Sequence, residues 1–288
     1  MGSILVTGAT GNVGSEVLKR LVAAGAPVFA AVRQPSEEHR PYAEVTFDFE
    51  RPDTFDLALG GVDRLFLMRP PALADADRTF APLIRAAQAA KVRHIVFLSL
   101  LGAEKNGMLP HRKIEDLIVA SGIPYTFLRP GFFMQNLSTT HRAEIRDRDT
   151  LFVPAGKGAT SFIDARDIAE VAAKTLTEPG HEGQTYALTG AEALGYQEVA
   201  RLLTEVLGRR ITYANPSILR FVLTKRREGL PMPFVLVMAA IYGTCKLGLA
   251  GTLTPDVERL LGRPPRPMRE FIQDHRAEWE RSPAGLPR

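Results

Sequence analysis

Short apolar runs alternate with segments of helical period through the first half of the chain. Ile4–Val6 reads as a buried strand, broken at Gly8, and Val17, Leu18, Leu21 and Val22 then recur at helical spacing. Val28–Val32 predicts a second strand, Glu44–Phe47 a third and Arg64–Met68 a fourth. A long helix follows, with Phe80, Leu83, Ile84 and Ala87 on one face. His94–Ser99 predicts a fifth strand, a helix starts near His111, and Tyr125–Leu128 is a sixth strand. Strands and helices in this alternation, with crossovers of this length, make a doubly wound parallel α/β sheet.

Beyond Gly131 the rhythm changes. Phe132–Asn136 is apolar but interrupted by amides, and 139–150 is polar. Ala165–Thr177 predicts an amphipathic helix, Thr185–Leu188 a strand, Tyr196–Leu207 a helix and Ile211–Ala214 a short strand. Helices dominate from Pro216. The expected organisation is a nucleotide-binding domain over 1–131 and a smaller, mainly helical C-terminal lobe over 132–288. Residues 162–190 are expected to pack back on the first domain's sheet. Phe234–Gly251 is apolar enough to suggest a membrane, but Lys246 and several glycines and alanines interrupt it. It reads as a buried or partner-facing helix pair rather than a span.

Composition narrows the setting. The 288 residues carry a formal charge of only +4, and 45% hydrophobic with 24% charged residues is ordinary for a soluble globular protein. Basic residues are scattered apart from Lys225-Arg226-Arg227 and the segment 263–269, so direct nucleic-acid binding is not expected. Cys245 is the one cysteine, which rules out an internal disulfide and a cysteine-built zinc site and suits a reducing cytoplasm. Met1 leads straight into the first strand, so no signal peptide is expected.

The candidate chemistry starts at the first turn. Gly8, Gly11 and Gly14 follow a strand and open a helix, the context of a dinucleotide fingerprint in a Rossmann sheet. Gly8 and Gly11 would let the backbone approach a pyrophosphate, and Gly14 would let the helix lie close on the strand. Free N–H groups at the helix start attract phosphate. Arg33 ends the second strand, where an acidic residue would hold the 2′-hydroxyl of NAD. A guanidinium there suits the 2′-phosphate of NADP(H), with His39 and Arg40 as helpers. Arg69-Pro70-Pro71 forms a stiff loop at the carboxyl edge of the sheet, where α/β proteins place ligands.

Five stretches together resemble the NmrA-like branch of the atypical short-chain dehydrogenase/reductases: Ile4–Gly14, Gly60–Leu67, His94–Ala103, Ser121–Asn136 and Phe162–Ala169. The fourth, S-G-I-P-Y-T-F-L-R-P-G-F-F-M-Q-N, is the most specific, and the resemblance runs essentially end to end. It implies an NAD(P)-binding protein, with members that reduce quinones or other aromatic electrophiles and others that sense redox state. Carried over by position, Gly8, Thr10, Gly11, Asn12 and Val13 would cradle the pyrophosphate. Arg33 would meet the adenosine ribose or its phosphate, and Asp48 with Phe49 the adenine. Leu67, Met68 and Arg69 would pass near the nicotinamide ribose, and Pro130 to Phe133 would wall the nicotinamide and the substrate.

The Tyr-x-x-x-Lys pair of ordinary members of the superfamily is missing. Counted back from Ser121-Gly122-Ile123-Pro124, its lysine position falls on His111 and its tyrosine position on Gly107. Taking Lys113 instead puts Leu109 at the tyrosine position. His111 lies about 65° and Lys113 about 95° from the centre of the Ile114/Leu117/Ile118 stripe. His111 is therefore the candidate ribose ligand or proton donor, or simply a helix-capping residue. Ser99 is a second catalytic candidate, or a strand-end hydroxyl satisfying backbone. The leading reading is an NAD(P)H-dependent oxidoreductase passing hydride to a small conjugated acceptor, in a site without metal lined by Phe132, Phe133, Met134 and Tyr196. A cofactor-sensing regulator with a possible homodimer face, and a biosynthetic enzyme running non-redox chemistry on the same fold, are the alternatives.

Overall fold

The computed structural model describes residues 2–281. In chain order the first elements are β1 (Ser3–Val6), α1 (Gly14–Ala23), β2 (Val28–Val32), β3 (Ala43–Thr46), α2 (Phe55–Leu59), β4 (Val62–Met68), α3 (Ala76–Ala89), β5 (His94–Leu98), α4 (Pro110–Ser121) and β6 (Tyr125–Pro130). Then come β7 (Phe132–Phe133), α5 (Gln135–Ser138), α6 (Arg142–Arg148), β8 (Thr150–Phe152), β9 (Ala159–Ile163), α7 (Ala165–Thr177), β10 (Gln184–Leu188) and β11 (Ala193–Gly195). The chain continues through α8 (Tyr196–Leu207), β12 (Thr212–Ala214), α9 (Ile218–Arg227), α10 (Met232–Lys246), α11 (Asp256–Leu261) and α12 (Met268–Asp274).

Two compact units result. The first runs to Pro130 and takes back Ala165–Leu188 and Asp256–Arg263; the second holds Gly131–Asp164, Thr189–Pro255 and the chain from Pro264. Asp256–Arg263 returns to the first unit through α11, which packs on α7 and β10. Nothing in the apolar pattern signals that return.

The first unit is the doubly wound sheet, with seven strands in the order β10-β6-β5-β4-β1-β2-β3, every neighbouring pair parallel. Its strands are apolar on both faces because helices cover both. Leu5, Leu65, Leu67, Phe97 and Phe127 share one core with Phe80 of α3 and Ile114 of α4. Ile4, Val6, Phe66, Val96 and Leu128 alternate with them and are equally buried. α1 and α7 pack together, and α7 also packs on β4, β5 and β6. The strand order reverses between β1 and β4, the switch point that opens a crevice at the carboxyl ends of such sheets.

The second unit is built on a three-stranded sheet, β11-β9-β7, and a parallel pair, β12-β8. Phe162 and Ile163 pair with Phe132 and Phe133, so they belong to this small sheet and not to the large one. Phe221, Met238, Phe271 and Trp279 fill its core, and the Trp279 indole donates to the Leu137 carbonyl at 3.0 Å. The apolar stretch expected as a helix pair is one helix, α10, followed by a glycine turn, and half of it faces solvent. No helix among the described residues is long and apolar enough to cross a membrane.

Candidate active site

The turn after β1 sits against the end of β4. Thr7 joins the two: its hydroxyl donates to the Phe66 carbonyl and accepts from the Met68 amide, both at 3.0 Å. Gly8 then takes φ +63°, and a Cβ there would collide with the Met68 thioether. This is the one position in the fingerprint that needs left-handed backbone. Gly11 does not; its amide closes the turn on the Gly8 carbonyl at 2.9 Å. A Cβ on Gly14 would strike that same carbonyl, so Gly14 brings α1 onto the turn itself rather than onto the strand. The first helical bonds run from Ser15 to Gly11 at 3.1 Å and from Val17 to Val13 at 2.9 Å, and the amides of Asn12 and Val13 precede them. Thr10 and Asn12 are exposed, and the Val13 side chain is buried. A turn closed to a Cβ at Gly8 and Gly14, with helix-start amides at its mouth, fits a pyrophosphate.

Arg33 is exposed, directly after β2, and so is His39; Arg40 is already committed to Glu38 and Glu44 at 2.9 and 3.2 Å. The Asp48 carboxylate accepts from the Glu50 amide at 3.0 Å, and the Phe49 ring leans on Phe47 and Phe80 with centroids 4.9 and 5.3 Å away. Leu67 turns its side chain into the core, leaving only main chain to a ligand. Arg69 is half-buried. Its Nη1 donates to the carbonyls of Pro70, Pro71 and Leu73 at 3.1, 3.1 and 2.9 Å, and its Nε faces His111 Nε2 at 3.4 Å. No carboxylate pairs with it among the described residues, and burial lowers its pKa.

His111 lies in the first turn of α4, opened by Pro110, with Phe97 6.2 Å from its ring. Burial first, and the Arg69 charge second, pull its pKa down to about 3. The imidazole is neutral, and an Arg69 N–H directed at Nε2 leaves the proton on Nδ1. Ser99 is committed elsewhere: its hydroxyl donates to Glu115 at 2.7 Å. Glu115, buried on α4, also takes Nε and Nη2 of Arg129 at 2.9 and 2.7 Å, and Arg129 reaches Glu104 at 3.2 Å. The resulting group ties the ends of β5 and β6 to α4. Sequence reasoning missed Glu115 because one acid on a helix reads as surface. The signal available was its place on the core side of α4, next to Ile114.

The substrate candidates lie in the second unit. Phe132 and Phe133 are partly exposed on β7. Met134 and Tyr196 depart from the expectation of a lining role, because both are core side chains; Tyr196 is 2% exposed, against Phe162, Tyr213 and Tyr242. Pro130 ends β6 in the first unit, its carbonyl held by the Leu101 amide at 2.9 Å.

The NmrA-like family pattern matches residues 1–252. The chain belongs to the NmrA-like family. An NAD(P)H azoreductase from Xenophilus azovorans is 36% identical over 284 residues, covering 96% of this chain and 99% of that protein. Two solved structures superpose over nearly the whole chain. The Citrobacter sp. triphenylmethane reductase complexed with NADP(H) gives a TM-score of 0.83 at 28% identity, covering 95% of this chain and 99% of that one. The Escherichia coli NADPH-dependent quinone oxidoreductase complexed with NADPH gives 0.85 at 27% identity, covering 94% and 99%.

Proposed function

We propose that this chain is an NAD(P)H-dependent oxidoreductase that passes hydride to a conjugated acceptor of the quinone, azo or triphenylmethane class, with NADP(H) preferred. The observation that carries the reading is the state of the two candidate acids. His111 is held neutral and Ser99 is spent on Glu115, so neither offers an acid matched to neutral pH. A simple ketone becomes an alkoxide on reduction and needs such an acid. A quinone or azo acceptor spreads the negative charge until solvent protonates it, and a cationic triphenylmethane becomes neutral on taking the hydride and needs no proton.

The glycine turn and the α1 amides would hold the pyrophosphate, Arg33 the adenosine phosphate, and Asp48 with Phe49 the adenine. When bound, the reduced nicotinamide supplies the hydride. His111 would offer its Nδ1–H to the ribose or acceptor, and the unpaired Arg69 charge would favour an acceptor gaining electron density. Pro130, which ends β6, would wall the nicotinamide. Relatives bearing azoreductase, triphenylmethane reductase and quinone oxidoreductase names support the acceptor class.

The test is oxidation of NADPH and NADH against a quinone, an azo dye and a simple ketone, with Arg33→Ala and His111→Gln beside the wild type. We expect turnover with the conjugated acceptors only, a loss below about tenfold in His111→Gln, and about ten- to a hundredfold weaker NADPH binding in Arg33→Ala. Ketone reduction that collapses about a thousandfold in His111→Gln would make His111 the acid and sink this mechanism. Equal affinity for both cofactors would sink the NADP(H) preference. Tight NADPH binding without turnover on any acceptor would return the chain to the sensor reading.

A further inference from the structure

The second unit carries an apolar surface that no part of the described chain covers. α10 buries Val235, Met238, Ala239, Tyr242 and Cys245 at helical spacing. Its opposite face, where a soluble helix carries charge, presents Phe234, Leu236, Val237 and Ile241, each 41–55% exposed. α9 packs beside it and exposes Leu219 and Leu223, and Leu247 and Leu249 extend the surface past the end of α10. Exposed apolar side chains gathered on two helices that pack together mark a docking surface.

Its charges say what docks. From 217 to 253 the chain carries five Lys and Arg and one acid, Glu228. Glu228 is bound to Arg148 and Lys225 at 2.8 and 2.9 Å. Arg220, Arg226, Arg227 and Lys246 are exposed, and no carboxylate pairs with them among the described residues. Leu219, Leu223 and Arg226 follow one another along one side of α9, so apolar surface passes directly into basic rim. A second copy of the chain would bring the same cations against each other across a two-fold axis. An anionic lipid leaflet offers apolar depth for the leucines and negative headgroups for the rim. At 15 residues, with one face committed to the protein core, α10 can lie in an interface but not cross it.

We propose that the α9–α10 face docks the protein on anionic phospholipid membranes, with α10 lying in the interfacial plane. The docking is reversible and weakens with salt, and it needs neither cofactor nor acceptor.

The test is co-sedimentation of the full chain with vesicles of phosphatidylglycerol and phosphatidylcholine, against pure phosphatidylcholine, at low salt and about 0.5 M NaCl. Binding is expected on the anionic vesicles only and reduced by salt. Arg226→Gln/Arg227→Gln, which alters exposed side chains alone, should weaken it about 25-fold, each cation being worth about fivefold. Val237→Asp/Ile241→Asp should abolish it, with circular dichroism and NADPH binding confirming the fold. Vesicle binding unaffected by either variant, or no vesicle binding at all, overturns the proposal. A solution dimer that Val237→Asp/Ile241→Asp dissociates, without vesicle binding, overturns it in favour of a second copy.

Discussion

Two histidines of the first unit are kept neutral by burial, and this gives stability a direction with pH. His111 is pulled to about 3 and His94 to about 4, the latter chiefly by burial beside Thr126, whose hydroxyl is 2.9 Å from Nε2. Above the ordinary value of about 6.5 both folded and unfolded chains are neutral at these sites. Below it the unfolded chain takes up protons that the folded chain refuses, so stability falls with pH, down to about pH 4 for His94 and about pH 3 for His111. Each contributes a loss of up to about 2 kcal/mol between pH 8 and pH 5. Urea midpoints at the two pH values should therefore differ less in His94→Gln and in His111→Gln than in wild type; equal differences would refute the assignment. At this scale the sequence was legible where a residue type admits one use. The three glycines form the tight turn before α1 and Arg33 is exposed directly after β2, as their types and spacing imply, whereas the Arg69–His111 contact joins residues 42 positions apart. Glu115 stayed hidden because what makes it structural, Arg129 and Ser99, comes from two other elements.

Whole elements were easier to read, since a strand covered on both faces must be apolar throughout and a covered helix must show its period. β2, α7 and α8 lie where periodicity puts them, while β6 runs on through Arg129 and Pro130 because β10 pairs with it to the end. α10 defeats the pattern: its solvent face is as apolar as its core face, so no periodicity marks which side is which. A charged cluster buried in the second unit was equally invisible. Glu144 of α6 accepts from Lys225 of α9 at 2.7 Å, and His141 lies 2.7 Å from Glu144 and 2.5 Å from the Tyr242 hydroxyl of α10. Carboxylate and ammonium are almost wholly buried, and the His141 and Lys225 contacts outweigh burial to keep Glu144 below the usual carboxylate range. Removing one partner strands the other. Lys225→Met should cost about 3–5 kcal/mol by urea unfolding. Glu144→Gln/Lys225→Met should recover part of that loss, and a double variant as weak as the sum of the singles would show that the two do not act as a pair.

For the whole molecule, the decisive feature is that the first unit is not continuous in sequence. A fragment ending at residue 131 contains six of the seven strands, yet it lacks β10, which pairs with β6, and α7, which packs on β4, β5 and β6. It would leave Thr126–Pro130 as an unpaired edge on an apolar sheet, so it should be recovered in the insoluble fraction on expression. A soluble, cofactor-binding 1–131 would contradict the topology. The same gap exists during synthesis. At ~5–20 residues per second, the ribosome takes roughly 3 to 12 seconds to travel from Pro130 to Leu188. Throughout that interval β6 waits for its partner with the β7–β9 segment already emerging beside it. The newborn chain thus depends on chaperone shelter most in the stretch between its sixth strand and its last large-sheet strand, and slower translation there would lengthen the exposure.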